Sequence, residues 1–135
     1  MGSERRGRIV RARDVMQEGI SSIDGMATAG EAAAMMRKEK DHALLVEKRH
    51  PDDAWGIVTY LDLIQGVIVP GRSAEEVHVY EIMTKPVIPV PAEMDIRYVV
   101  RFMHRTGIRR APVEENGKLV GMVALYSLVL NTDLL

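Results

Sequence analysis

The chain has 135 residues, 47% of them apolar, with 18 Lys and Arg set against 19 Asp and Glu for a net charge of -1. That length suits one globular domain or two small halves sharing a core, and the near-neutral charge argues against a nucleic-acid binder driven by bulk charge. With no cysteine there is neither a disulfide framework nor a thiolate metal site, so a reducing, cytoplasmic location is expected rather than secretion.

Arg5, Arg6, Arg8, Arg11 and Arg13 crowd the start, but the apolar segment of a signal peptide does not follow them. The short run Asp14-Val15-Met16 comes next, and then ISSID at 20 to 24, read as an extended piece. Thr28 with Glu31 three residues on has the form of a capping box. Behind it, Ala29, Ala32, Ala33 and Met36 follow the i, i+3, i+4, i+7 spacing that marks the buried stripe of an amphipathic helix. HALLVE at 42 to 47 is an apolar strand, KRHPDD a loop, and GIV at 56 to 58 a second strand. YLDLIQGVIV reads as a closing helix that Pro70-Gly71 stops.

The same order then repeats. Asp14, Val15 and Met16 recur as Glu81, Ile82 and Met83, at an offset of 67 residues. VIPVP at 87 to 91 is the extended piece, Asp95 takes the N-cap position, and Ile96, Val99, Val100 and Met103 restate the helical stripe in the same frame. RAPVEE at 110 to 115 and the run through GMV at 121 to 123 form a hairpin across Asn116-Gly117, a pair suited to the positive φ of a type I′ turn. LYSLVLNTDLL closes the second copy. A repeat demands to be weighed before any other feature. It predicts an α+β fold of two pseudo-symmetric β-α-β-β-α units packed through their sheets as one module, with residues 9-66 the first repeat, 67-78 a connection and 79-131 the second.

The two copies differ where chemistry would be done. GIVTYLD at 56 to 62 holds Thr59 and Asp62 three apart, whereas GMVALYS at 121 to 127 has Ala124 and Ser127. A hydroxyl at a helix start joins free NH groups in binding an anion, and a carboxylate accepts from two vicinal hydroxyls at once. The same pair is also an ordinary N-cap and N3 arrangement that needs no ligand.

The paired DVM and EIM starts, the matched stripes, the APV strand at 111 to 113 and the closing GIVTYLD together resemble a tandem pair of CBS domains, the modules named after cystathionine beta-synthase. The resemblance covers roughly residues 9 to 131. It implies a stand-alone regulatory module, without catalysis, that binds an adenosine-type ligand (AMP, ADP, ATP, S-adenosylmethionine or NAD) in a cleft between the repeats and signals to a partner protein. Thr59 would face phosphate and Asp62 the ribose hydroxyls, with Gly56 leaving room for the ligand; the second copy would be degenerate. Arg109 and Arg110, at positions matched by His42 and Ala43 in the first copy, would clamp phosphate, and Ile20, Ala43 and Leu44 would carry adenine. A flat homodimer through the helices is implied as well, with Met35 and Phe102 beside the stripes as its contacts. The alternative is a dimerisation or docking module that binds no nucleotide.

Other signals are weaker. Arg97, Arg101 and Arg105 recur every four residues as a basic stripe that could meet nucleic acid or an acidic partner, though a solvated face plus a mobile tail explains the arginines more simply. His42, His50, His78 and His104 show no metal-ligand spacing, and no Walker loop, dinucleotide fingerprint or nucleophile elbow is present. No apolar run approaches the roughly 18 residues of a membrane span.

Overall fold

The computed structural model of the chain describes residues 8–135; Arg5 and Arg6 of the basic start lie outside them. In chain order the elements are α1 (Ala12–Val15), β1 (Gln17–Glu18), β2 (Ser22–Ile23), α2 (Ala29–Glu39), β3 (Ala43–Val46), β4 (Gly56–Thr59), α3 (Tyr60–Leu63), α4 (Val79–Ile82), β5 (Val90–Pro91), α5 (Ile96–Thr106), β6 (Arg110–Glu115), β7 (Lys118–Ala124) and α6 (Leu125–Leu130). A five-residue π-helical stretch, Ile64–Ile68, continues α3. The strand, helix, strand, strand, helix order expected of each copy is therefore present, preceded in both by a short helix.

The caps form as their residue types dictate. Thr28 Oγ1 accepts from Glu31 N at 3.1 Å while Glu31 Oε1 accepts from Thr28 N at 3.1 Å, and Asp95 Oδ1 accepts from Arg97 N at 2.9 Å. These bonds satisfy backbone donors that a helix start leaves over. Asn116 and Gly117 both take positive φ, 53° and 79°, as a type I′ turn requires.

The chain divides into two compact units that are not the two sequence repeats. One contains Ser21–Val87; the other joins the segment ending at Ile20 to Ile88–Leu135. Each opening segment has changed places. In the first unit a three-stranded sheet runs β2-β3-β4, with β2 parallel to β3 and β3 antiparallel to β4. Leu44, Val46 and Val58 of that sheet pack with Ala32 and Met36 of α2, and Val79 of α4 is fully buried in the same cluster. In the second unit a four-stranded sheet runs β1-β7-β6-β5, with a register shift between Val113 and Glu114. Its core gathers Val99 and Met103 of α5, Val113, Val123 and Ala12 of α1. Full burial of a side chain the size of Val79 contributes about 1.5–3 kcal/mol, so α4 helps to hold the core of the first unit.

Backbone bonds repeat the exchange at matched positions. Ala12 N and Arg13 N donate to Met94 O and Ala92 O at 2.9 and 3.0 Å, and Val79 N and Tyr80 N donate to Ala27 O and Gly25 O at 2.8 and 2.9 Å. Next to each opening helix the chain lies edge-on to a hairpin: Gln17 and Glu18 pair with Met122 and Gly121, and Ile57 and Thr84 exchange two bonds of 2.9 Å. This explains the glycine common to GIV and GMV. A Cβ on Gly121 would stand 2.6 Å from Met16 Sδ and 2.8 Å from Gln17 O; one on Gly56 would stand 3.1 Å from Met83 Sδ and 3.2 Å from Thr84 O. The expectation that Gly56 leaves room for a ligand is thereby corrected, because the exchanged segment occupies that space.

The basic start is also folded from Arg11 on. Arg11 Nη1 donates to Glu93 O at 2.9 Å, and Arg13 bridges Glu93 and Glu115 at 2.9 and 3.0 Å. For these two arginines the mobile-tail reading does not hold. No helix among the described residues is long and apolar enough to cross a membrane.

Two outcomes follow from this architecture. Gly121→Ala should destabilise the protein by about 1–3 kcal/mol, the usual cost of overpacking, and by more than Gly56→Ala, because the backbone oxygen a Cβ would meet is closer, 2.8 Å against 3.2 Å; urea unfolding of the two variants ranks them. Asp53, in the longer hairpin loop, accepts from Lys85 Nζ at 2.7 Å and from Arg49 N at 2.9 Å. Lys85 first, then the Arg49 NH, hold its carboxyl well below the ordinary aspartate value of 3.8. A depressed folded-state value adds stability that is present above the unfolded value and lost as acid protonates the group. Acid unfolding below about pH 4 should therefore be shallower in Asp53→Asn than in the wild type.

Candidate functional site

Thr59 and Asp62 stand at the corner where β4 becomes α3. Thr59 is extended, with φ -118° and ψ 168°, and caps the helix. Its NH donates to Asp62 Oδ2 at 2.8 Å, its hydroxyl lies 3.2 Å from the same oxygen, and Asp62 N donates to Thr59 Oγ1 at 3.4 Å. The ordinary capping role is thus satisfied without a ligand. The same bond from the N-cap NH to an acid three residues on occurs at Arg11 and Asp14, Thr28 and Glu31, and His78 and Glu81.

Asp62 differs from those other acids in its surroundings. It is half-buried, whereas Asp14, Glu31 and Glu81 are exposed. Burial pushes its carboxyl up from the ordinary aspartate range, against the two hydrogen bonds from Thr59 that pull it down. Oδ2 does all the capping. Among the described residues no protein group donates to Oδ1.

Cross-strand register decides which neighbours share this corner. Ala43 pairs with Thr59, so the two side chains lie on one face of the sheet, while Leu44 pairs with Val58 on the other. Leu44 is fully buried against α2 in the core, which removes it from the expected adenine-carrying set; a period of two put it on the wrong face. His42 precedes β3, its carbonyl accepts from Tyr60 N at 3.0 Å, and its ring meets the Tyr60 ring edge-on at 5.7 Å. Ile20 is half-buried just ahead of β2. Gly56 sits three residues before Thr59 with its open side filled by Met83 and Thr84. Tyr60, exposed beside the box, was not singled out in the sequence, although it stands between Thr59 and Asp62.

The equivalent corner of the other unit has the opposite character. Arg110 pairs with Ala124 as Ala43 pairs with Thr59, and Arg109 O accepts from Leu125 N at 2.9 Å as His42 O accepts from Tyr60 N. The Arg110 guanidinium lies over the Tyr126 ring at 5.3 Å, and Arg109 is exposed. Helix α6 starts at Ala124 with no side-chain cap. The Ser127 hydroxyl turns instead to accept from Asn131 Nδ2 at 2.9 Å. One corner therefore offers a carboxylate and a hydroxyl, and the other two guanidinium groups.

Met35 and Phe102, expected at a dimer contact, are half-buried and pack onto the margins of the two cores. Exposed apolar side chains cluster instead along the closing segments: Tyr60, Ile64, Ile68 and Val69 after the first hairpin, Tyr126, Val129 and Leu130 after the second. Among the described residues no group of His, Asp and Glu side chains could hold a metal ion.

Comparison with known proteins agrees with the repeat. The CBS domain family model matches residues 12–68 and 79–131. An uncharacterised protein of Methanopyrus kandleri is 32% identical over 123 residues, covering 90% of this chain and 62% of its own length. A mitochondrial CBS domain-containing protein of Arabidopsis thaliana is 31% identical over 126 residues, covering 86% of this chain and 61% of its own. The chain thus spans about three fifths of the length of these curated relatives. Among solved structures, a hexameric CBS-CP12 protein from bloom-forming cyanobacteria superposes with a TM-score of 0.88 at 35% identity, covering 93% of this chain and 69% of that one. On the repeat, the α+β architecture and these matches, the chain belongs to the CBS domain family as a tandem pair.

Proposed function

We propose that this chain is a non-catalytic regulatory module that binds an adenosine-type nucleotide at the Thr59–Asp62 corner and passes ligand state to a partner protein. Tandem CBS domains are generally regulatory and often bind adenosine ligands. The observation that carries the reading for this chain is the half-buried Asp62 carboxylate, which spends one oxygen on the helix cap and leaves the other unused. A pair of ribose hydroxyls would supply the donors that Oδ1 lacks. Thr59 Oγ1 at the start of α3 suits a phosphate oxygen, and Arg109 and Arg110 are the cations that the family resemblance implies for phosphate. Ligand binding that favours one conformation shifts its population and, by reciprocity, the affinity for the partner.

A second reading has an observation of its own. The capping box at Thr59 and Asp62 is complete without any ligand, like that at Thr28 and Glu31, so a constitutive interaction module that binds no nucleotide needs no further explanation of these residues. Its self-association would use the exposed apolar side chains of the closing helices, since exposed aliphatic groups clustered on one element mark contact surfaces.

Calorimetric titration with AMP, ADP, ATP, S-adenosylmethionine and NAD separates the two. Under the first reading at least one of these gives saturable heat, and Asp62→Asn weakens it about ten- to hundredfold, the worth of hydrogen bonds to a charged group. The same variant should melt no lower than wild type at pH 7. The sign follows from the raised carboxyl value: a raised value favours the folded state at low pH and is a cost once Asp62 ionises, and Asn removes that cost while Oδ1 of the amide still accepts from Thr59 N. Absence of heat across the panel selects the second reading. For self-association, Ile68→Glu should reduce the sedimentation coefficient at micromolar concentration; an unchanged value would exclude that surface.

A further inference from the structure

The exposed face of α5 carries arginines and no carboxylate, and the repeat supplies a control for part of it. Along Ile96–Thr106 the solvent-facing side chains include Arg97, Tyr98, Arg101, His104 and Arg105, with no carboxylate on the helix. On the equivalent helix α2, Gly30, Glu31 and Ala34 stand where Arg97, Tyr98 and Arg101 stand here, and Glu39 follows Arg37 and Lys38. The fold therefore does not require cations at Arg97 and Arg101, whereas the position of Arg105 is basic in both copies, as Lys38 on α2. Helix electrostatics does not favour them either at the start: Arg97 lies in the first turn, where the dipole disfavours a cation, and is offset by Asp95 at 2.8 Å.

Arg101 and Arg105 stand apart from several other arginines. Arg13, Arg49, Arg72 and Arg97 each pair with a carboxylate, whereas among the described residues Arg101 and Arg105 have no ion-pair partner. The Arg101 guanidinium lies 5.4 Å from the centroid of the Tyr98 ring. That cation–π contact orients the planar group while leaving N–H donors at its edge open. Arg105 follows one helical turn on, about 5–6 Å away along the surface. Beside them Tyr98 is 56% exposed.

We infer that this α5 face is a docking surface for an acidic protein segment, one that presents two carboxylates about a helical turn apart to Arg101 and Arg105. Each guanidinium accepts a carboxylate bidentately, and Tyr98 supplies an aromatic anchor of the kind that, with Arg, dominates protein–protein contacts. Nucleic acid is the poorer match. Two unpaired cations release only about two counterions, too few for strong binding at physiological salt, and the chain's net charge of -1 adds no attraction at longer range. The inference needs only the fold and stands whether or not a nucleotide binds at Thr59 and Asp62.

Fluorescence anisotropy tests it on the full chain with three probes: a labelled helical peptide of about four turns carrying Glu at i, i+4 spacing, its Gln counterpart, and an oligo-dT of matched length. The Glu peptide should bind and the Gln peptide should not, with an affinity that falls as salt rises. Arg101→Glu combined with Arg105→Glu should lower that affinity about thirtyfold or more, and Tyr98→Ala several-fold. Reversing Arg37 and Lys38 on α2 should change nothing. Melting curves verify that the charge-reversed protein is folded; if it is not, Arg101→Gln with Arg105→Gln removes the charge with less disturbance and should give about a tenfold loss. Failure of wild type to bind the Glu peptide, an equal loss from the α2 reversal, or tighter retention of oligo-dT would each overturn the assignment.

Discussion

Each hairpin of this protein is closed by a backbone that belongs, in sequence, to the other repeat. At Gly121 the approach brings Gln17 O within 2.8 Å of where a Cβ would stand, and at Gly56 it brings Thr84 O within 3.2 Å. A side chain at Gly121 would force its neighbours aside and one at Gly56 would press them by a few tenths of an ångström, which favours glycine at both crossings. This steric constraint is independent of anything bound. It explains why glycine persists in the second copy although the hydroxyl and carboxylate that follow it in the first do not.

Exchange of the opening segments ties distant parts of the chain to one another. Ala12 and Val79 are fully buried in cores built mainly from the other repeat, and Arg13 bridges Glu93 and Glu115. A perturbation near the start of the chain therefore acts on the unit that carries Arg110 and Tyr126, not on the one that carries Thr59 and Asp62.

Duplication followed by divergence has left two corners with the same backbone and opposite chemistry. The paired residues match one for one: Ala43 with Thr59 in one unit, Arg110 with Ala124 in the other. Where the first has a carboxylate at N3 of its closing helix, the second has Ser127 turned toward Asn131. The stripe helices diverge as well, since α2 carries mixed charge and α5 only cations. These differences cannot come from folding requirements common to both copies, which is why they are the places to look for function.

Much of the architecture was legible in the sequence because it is written in local periodicity. The stripes through Ala32 and Met36 and through Val99 and Met103, the Thr28 and Asp95 caps and the Asn116-Gly117 turn each depend on residues a few positions apart, and each formed as read. The Thr59–Asp62 pair was visible too, with its capping role stated beside its functional one. Only the tertiary structure decided the rest. Leu44 could not be assigned a face because ALLV is apolar throughout and carries no alternation; pairing with Val58 turned it into the core. The margins occupied by Met35 and Phe102, and the exposure of Ile68 and Leu130 on the closing helices, depend on what packs alongside each helix. Above all, the exchange rests on very short segments meeting partners roughly 80 to 105 positions away in one unit and roughly 27 to 55 away in the other, and segments that short have no period from which such a partner could be read.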